Sequence, residues 1–180
     1  MDTQRPFQFR QGLDERIIRA VKENNFDCAK QLIAAGADVN MEDVNGNTPL
    51  ILAAGDGKAD FVELLLANGA KVNITNNDNQ TALYRATCFD HIECMELLIK
   101  EGADANIGDN NNKTPIFLAT EDNSIKKLSL LIKAKAKTNI KDEDELTPLH
   151  WAASFGHTPC LKLLHAAGAD INAKNRGISG

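Results

Sequence analysis

Thr147-Pro148-Leu149-His150-Trp151-Ala152-Ala153 decides how this chain is built, because three variants of it stand upstream. They are Thr48-Pro49-Leu50-Ile51-Leu52-Ala53-Ala54, Thr81-Ala82-Leu83-Tyr84-Arg85-Ala86-Thr87 and Thr114-Pro115-Ile116-Phe117-Leu118-Ala119-Thr120. The starts at 48, 81, 114 and 147 are 33 residues apart without a slip. A second phrase keeps the same interval: Gly36-Ala37-Asp38-Val39-Asn40, Gly69-Ala70-Lys71-Val72-Asn73, Gly102-Ala103-Asp104-Ala105-Asn106, Lys135-Ala136-Lys137-Thr138-Asn139 and Gly168-Ala169-Asp170-Ile171-Asn172. Two independent phrases on one period mark a repeat architecture, in which each unit packs on its neighbours and the core is a seam.

The residue types at each station specify helices. Thr is a good N-cap, and Pro follows where its missing N–H costs nothing. Ala53, Ala86, Ala119 and Ala152 keep the short helix narrow. A polar turn then leads to a second helix with an apolar stripe, as in Val62, Leu65 and Leu66 or Met95, Leu98 and Ile99, at helical spacing. Gly36, Gly69, Gly102 and Gly168 end that helix in the left-handed region. Asn- and Asp-rich stretches such as Asp43-Val44-Asn45-Gly46-Asn47 read as β-turn tips between units. The expected fold is an all-α solenoid of about five stacked helix pairs, joined by these tips and curved around a concave groove.

The period and the Thr-Pro-Leu-His-x-Ala phrase resemble the ankyrin-repeat family, over a span from about Leu13 to Asn175. The resemblance implies a stack that binds other proteins, with turn tips and first helices lining the concave surface. It implies that His150 is a structural histidine bonded to the adjoining turn. It also extends to Asn40, Asn73, Asn106, Asn139 and Asn172, the tip-base asparagines that an asparaginyl hydroxylase modifies in animal members. Lys71, Ala105 and the pair Lys137 and Thr138 depart from the preferred Asp-Val before that Asn.

The period divides the chain into a flexible leader, 1–12, and units at about 13–45, 46–78, 79–111, 112–144 and 145–180. Asp14 is expected to cap the first helix, whose partner helix should run from Asp27 to Ala35. Gln31 stands where later units carry Leu64, Leu97, Leu130 and Leu163, as suits an end unit. The last tip, 172–180, stops before another capping Thr, which favours a piece of a longer array. Unit four departs from the pattern: Lys135 replaces the helix-ending Gly, Glu145 the turn-tip Gly or Asn, and Lys127 the cysteine or Phe61 of other units. It is expected to be the least stable internal unit.

A net charge of −5 with dispersed Lys and Arg argues against nucleic acid as the main partner. The start lacks an apolar signal core and no apolar run reaches membrane-spanning length, so no membrane insertion is expected. Cys28, Cys88, Cys94 and Cys160 lack tight pairing, and three of them share one repeat slot 66 residues apart, as core filler would. Free thiols suit a reducing compartment, the cytosol or the nucleus. His157, Cys160 and His165 fall short of a tetrahedral zinc set at workable spacing. No nucleophile elbow, phosphate loop or His-Glu-x-x-His helix is present. Neither catalysis nor a cofactor is expected, and the array is expected to be a monomer.

Function must then lie in slots that stacking leaves free. Mapped by position, Leu52, Arg85, Leu118 and Trp151 lie on the inner helices, followed by Asp56, Phe89, Asp122 and Phe155. Tip residues Asp144 and Leu146 complete the candidate partner-binding set. Trp151, Phe155 and Leu146 are the expected anchor cluster, because buried aromatics carry much of interface energy. Asp56, Asp122 and Asp144 would complement a partly basic partner. The resulting reading is a non-catalytic scaffold or adaptor. Its alternatives are the targeting piece of a larger enzyme or channel, and a substrate of the asparaginyl hydroxylase.

Overall fold

The computed structural model describes residues 5–174, with side chains from Gly12 onward. Among these residues there are ten α-helices and no strand. They are α1 (Arg5–Lys22), α2 (Phe26–Ala34), α3 (Pro49–Gly55), α4 (Ala59–Ala67), α5 (Ala82–Cys88), α6 (Ile92–Lys100), α7 (Pro115–Glu121), α8 (Ile125–Lys133), α9 (Pro148–Ser154) and α10 (Thr158–Ala166). The odd-numbered helices pack side by side in sequence order from α1 to α9, and α4, α6, α8 and α10 form a second layer. Each odd helix also packs on the even helix that follows it.

The first helices form where the repeated phrase places them. Thr48, Thr81 and Thr147 each accept the backbone N–H three residues on, and are themselves buried. Ala53, Ala86, Ala119 and Ala152 are fully covered, which lets neighbouring layers meet closely. Leu65, Leu98, Leu131 and Leu164 fill the seam from the second layer with no exposed surface. Each such burial contributes about 1.5–3 kcal/mol.

Two hydrogen-bond systems hold the units in register. In the first, a tip-base asparagine reaches the next unit: Asn40 Oδ1 accepts the Lys71 N–H at 2.7 Å, and Asn106 and Asn139 accept those of Lys137 and Asp170 at 2.7 Å each. Asn73 does the same for Asp104 at 2.9 Å. In the second, tips bond to each other through backbone: Asn77 N–H to Asn45 O at 3.0 Å, Asn110 to Asp78 at 3.2 Å, and Glu143 to Asn111 at 3.1 Å. Within a tip the side chain of Asp43, Asn76, Asp109 or Asp142 accepts two backbone N–H groups. Gly46 is needed at its station twice over. Its φ is +73°, and a Cβ there would lie 2.6 Å from Asn77 Oδ1 of the adjoining tip.

The N-terminal end differs from expectation. α1 begins at Arg5 and so takes in residues 5–12 of the expected leader; residues 1–4 lie outside the described residues. Asp14 therefore sits inside α1 and caps nothing. Its Oδ1 accepts the Asp38 N–H at 2.7 Å, the bond that asparagines make between later units, so it supplies the first rung of that series. The expected tip at 172–180 falls largely on 175–180, outside the described residues.

Positive φ recurs at three kinds of station along the repeats. Helix-ending Gly36, Gly69, Gly102, Lys135 and Gly168 form one series; Gly46, Asn79, Asn112 and Glu145 form the tip series; Asn24, Gly57, Asp90, Asn123 and Gly156 form the series between paired helices. Lys135 at +63° and Glu145 at +62° adopt this region despite a Cβ, as unit four's sequence implied. Lys135→Gly should relieve about 1 kcal/mol of strain and raise the urea unfolding midpoint. In the first tip, burial raises the Asp43 carboxyl, but the Asn47 N–H, the Lys22 ammonium and the Asn45 N–H outweigh it and hold it below its ordinary value. Its contribution is therefore complete above the unfolded pKa of about 4 and is lost as pH falls through the lower folded value. Asp43→Asn, which matches Asn76 of the next tip, should lose less stability than wild type when urea melts at pH 6 and at about pH 3 are compared.

Candidate interaction face

The stacking of α3, α5, α7 and α9 brings the expected residues into two rows. Leu52, Arg85, Leu118 and Trp151 occupy equivalent positions and are all half-buried. Asp56, Phe89, Asp122 and Phe155 are the C-caps of the same four helices and are all exposed. This second row alternates acid and aromatic. Phe89 and Phe155 keep 48% and 50% of their surface exposed, which for rings beside a packed layer is the feature that folding leaves unused.

Trp151 does have an internal packing role, contrary to the expectation that its slot has none. Its ring meets Phe117 edge-on at 5.8 Å, and the Lys113 ammonium lies 4.2 Å from its centroid. Its indole N–H donates to Asp142 Oδ2 at 2.9 Å. Phe155 then packs on Trp151 at 5.7 Å and on His157 at 5.5 Å. A chain of rings thus runs from buried Phe117 to half-exposed Phe155. Asp142 ties the tip to this chain, because its Oδ1 accepts the N–H groups of Asp144 and Leu146 at 3.1 and 2.8 Å. Leu146 is half-buried and Asp144 exposed. At the other aromatic station the Arg85 guanidinium sits 4.8 Å from the Phe89 centroid, and Arg85 Nε is buried with no hydrogen-bond acceptor.

Beside these rows each unit sends a donor back to the previous first helix. Lys58 Nζ donates to Val21 O at 2.7 Å, and His91 Nε2 and His157 Nε2 meet Gly55 O and Glu121 O at 3.1 Å each. A carbonyl only accepts, so both histidines carry a proton on Nε2. Gly57 makes room for this contact, since a Cβ there would lie 2.5 Å from His91 Nδ1. Unit four has Ser124 at that station, and Lys127 supplies the donor from one turn later. Lys127 Nζ donates to Thr87 O at 3.1 Å, to Asp122, and lies 3.4 Å from Asp90 Oδ1. Lys127 is 1% exposed, yet its ammonium makes two hydrogen bonds and a further ion pair. The expectation of a weak fourth unit treated this lysine as a misfit; the structure makes it one of the unit's contacts to the unit before it.

Asp56 and Asp122 are correspondingly less available than the sequence suggested, since Lys58 lies 2.8 Å from Asp56 and Lys127 pairs with Asp122. Sequence reasoning passed over Asp142 and Val44. Val44 is 93% exposed at the first tip, where the other tips carry Asn77, Asn110 and Glu143, and that contrast was its available signal. His150 completes a capping box within its own helix end, where its Nδ1 accepts the Thr147 N–H at 3.1 Å. Burial pushes the Cys94 thiol up to about 11 and also raises Cys160. Among the described residues no group of three or more His, Cys, Asp or Glu is placed to hold a metal ion, and no helix is long and apolar enough to cross a membrane.

A family model described as ankyrin repeats in three copies matches residues 17–109 and 97–175. An ankyrin repeat protein of Rickettsia felis is 38% identical over 48 residues, which cover 27% of this chain and 76% of that protein.

The Lys127 contacts set a testable sign. Lys127→Met fills similar volume but leaves the buried end of α5 without its ammonium donor, while the exposed Asp90 and Asp122 can hydrate. It should therefore lower unfolding free energy in urea by about 1–3 kcal/mol. A variant more stable than wild type would restore the view of Lys127 as a defect.

Proposed function

The chain belongs to the ankyrin-repeat family, and from that premise we propose that it is a non-catalytic scaffold or adaptor that holds a partner protein on its first-helix face and turn tips. Ankyrin repeats are in general protein–protein interaction modules. In this chain Trp151, Phe155, Phe89 and Arg85 are the central contacts, with Leu146, Leu118 and Leu52 beside them. Asp56, Asp122 and Asp144 serve as rim groups. The paired state of Asp56 and Asp122 makes them hydrogen-bonding and orienting groups more than sources of net charge. The protein acts as a monomer in the cytosol or the nucleus, and the array comprises the units from residue 13 onward.

The observation that carries this reading is the half-exposure of Phe89 and Phe155 at equivalent C-caps, against packed neighbours that hold each ring in place. Rings already ordered lose little side-chain entropy on binding, and aromatics are the usual anchors of an interface. The alternating row gives such an interface polar contacts between its apolar ones.

The test is capture from source lysate with wild type, with Trp151→Ala plus Phe155→Ala, and with Phe155→Ser alone. The single variant leaves the Trp151–Asp142 bond in place, and circular dichroism checks that each stays folded. Partners held by wild type should be depleted at least about tenfold on both variants, the effect of losing 1.4 kcal/mol at one anchor. An unchanged set of partners on folded variants would remove the face from consideration.

A further inference from the structure

We propose that the row running from Phe89 over Asp90 and Asp122 to Phe155 receives one α-helical segment, whose apolar, basic and apolar side chains follow one another along a single stripe. The proposal rests on the interaction role above and names the chemistry of the partner.

The spacing sets the ligand. Phe89 and Phe155 are C-caps of α5 and α9, which flank α7, so the two rings stand two helix spacings apart. Packed helices lie about 8–10 Å apart, so that span is about 16–20 Å. A helix rises 1.5 Å per residue and returns to the same face after three turns, about 11 residues or 16.5 Å. Apolar side chains at i and i+11 would therefore meet both rings, and i+4 and i+7 would face the ground between them.

The charge of that ground is acidic where a partner can reach it. The Asp90 and Asp122 side chains are 73% and 48% exposed and Glu121 is exposed, whereas the Lys127 side chain that offsets them is 2% exposed. The Lys127 ammonium is buried, donates to Thr87 O and Asp122 and pairs with Asp90, so it is turned away from an incoming group. Basic residues at i+4 and i+7 complement this surface. An extended peptide fits less well, because its unpaired backbone needs donors and acceptors. The first helices spend theirs internally, in caps and on the neighbouring unit.

The probe is a fluorescein-labelled helical peptide of about 20 residues on an Ala/Gln host, with Leu at i and i+11 and Arg at i+4 and i+7. One control carries Glu in place of both Arg. A second moves the i+11 Leu to i+9, on the opposite side of the helix. Fluorescence anisotropy with the full chain should show the parent peptide binding at least about tenfold tighter than either control. Phe89→Ala and Phe155→Ala should each cost about tenfold for the parent. Equal affinity for all three peptides, or no saturable binding of the parent, would overturn the proposal. Should lysate partners still depend on Phe155 in that case, the interaction role stands and only this geometry fails.

Discussion

A helix of seven residues is too short to hold itself together in water, where fewer than about 12–15 residues are marginal. α3, α5, α7 and α9 each have seven. Their order comes from neighbours, through apolar burial along the seam and through polar groups at both ends. The capping Thr satisfies the amino end from within in units two, three and five. The carboxyl ends of α3, α5 and α7 depend on the following unit, through His91, Lys127 and His157, and Lys58 does the same for the longer α1. Because those donors cross a unit boundary, the same contacts that finish a helix also fix the register of the stack.

The tips obey the same logic. Each uses one carboxylate or amide to gather its own backbone, and one backbone bond to reach the next tip. Asp109 and Asp142 carry this further by also accepting from Tyr84 and Trp151, at 2.9 Å each. A side chain on the first-helix face is thereby fixed by a residue in the tip. The face beside Phe155 is accordingly ordered before anything binds it, since Trp151 is held by Asp142 and Phe155 lies between Trp151 and His157.

Much of this was legible in the sequence because stacking repeats a demand every 33 residues. Thr at the cap, Ala at the close approach and Gly after the second helix each answer one physical requirement, and the exceptions Lys135 and Glu145 were visible as exceptions. Contacts that break the column were not legible. Lys127 replaces a donor that belongs three residues earlier, so reading by equivalent position made it a misplaced core residue. Asp14 looked like a cap because Asp favours caps, while its actual partner, the Asp38 N–H, becomes adjacent only after folding. The start of α1 was hidden because residues 5–12 carry no repeat period, and period was the signal being read. Of the candidate face, the aromatic anchors were legible by type; their bonds to Asp142, Lys113 and His157 depend on how the turns close.

Repeat arrays are often treated as strings of equivalent beads, and Lys127 makes this one an ordered string. Its ammonium needs the Thr87 carbonyl and Asp90 from the unit before it, together with Asp122 of its own. Where Asp90 stands, unit two has Gly57. Unit four moved to follow unit two would thus bury a cation lacking one of its counter-charges, and unit five moved to follow unit three would not. Shuffling or duplication of units in this chain is therefore directional: the third and fourth travel as a pair.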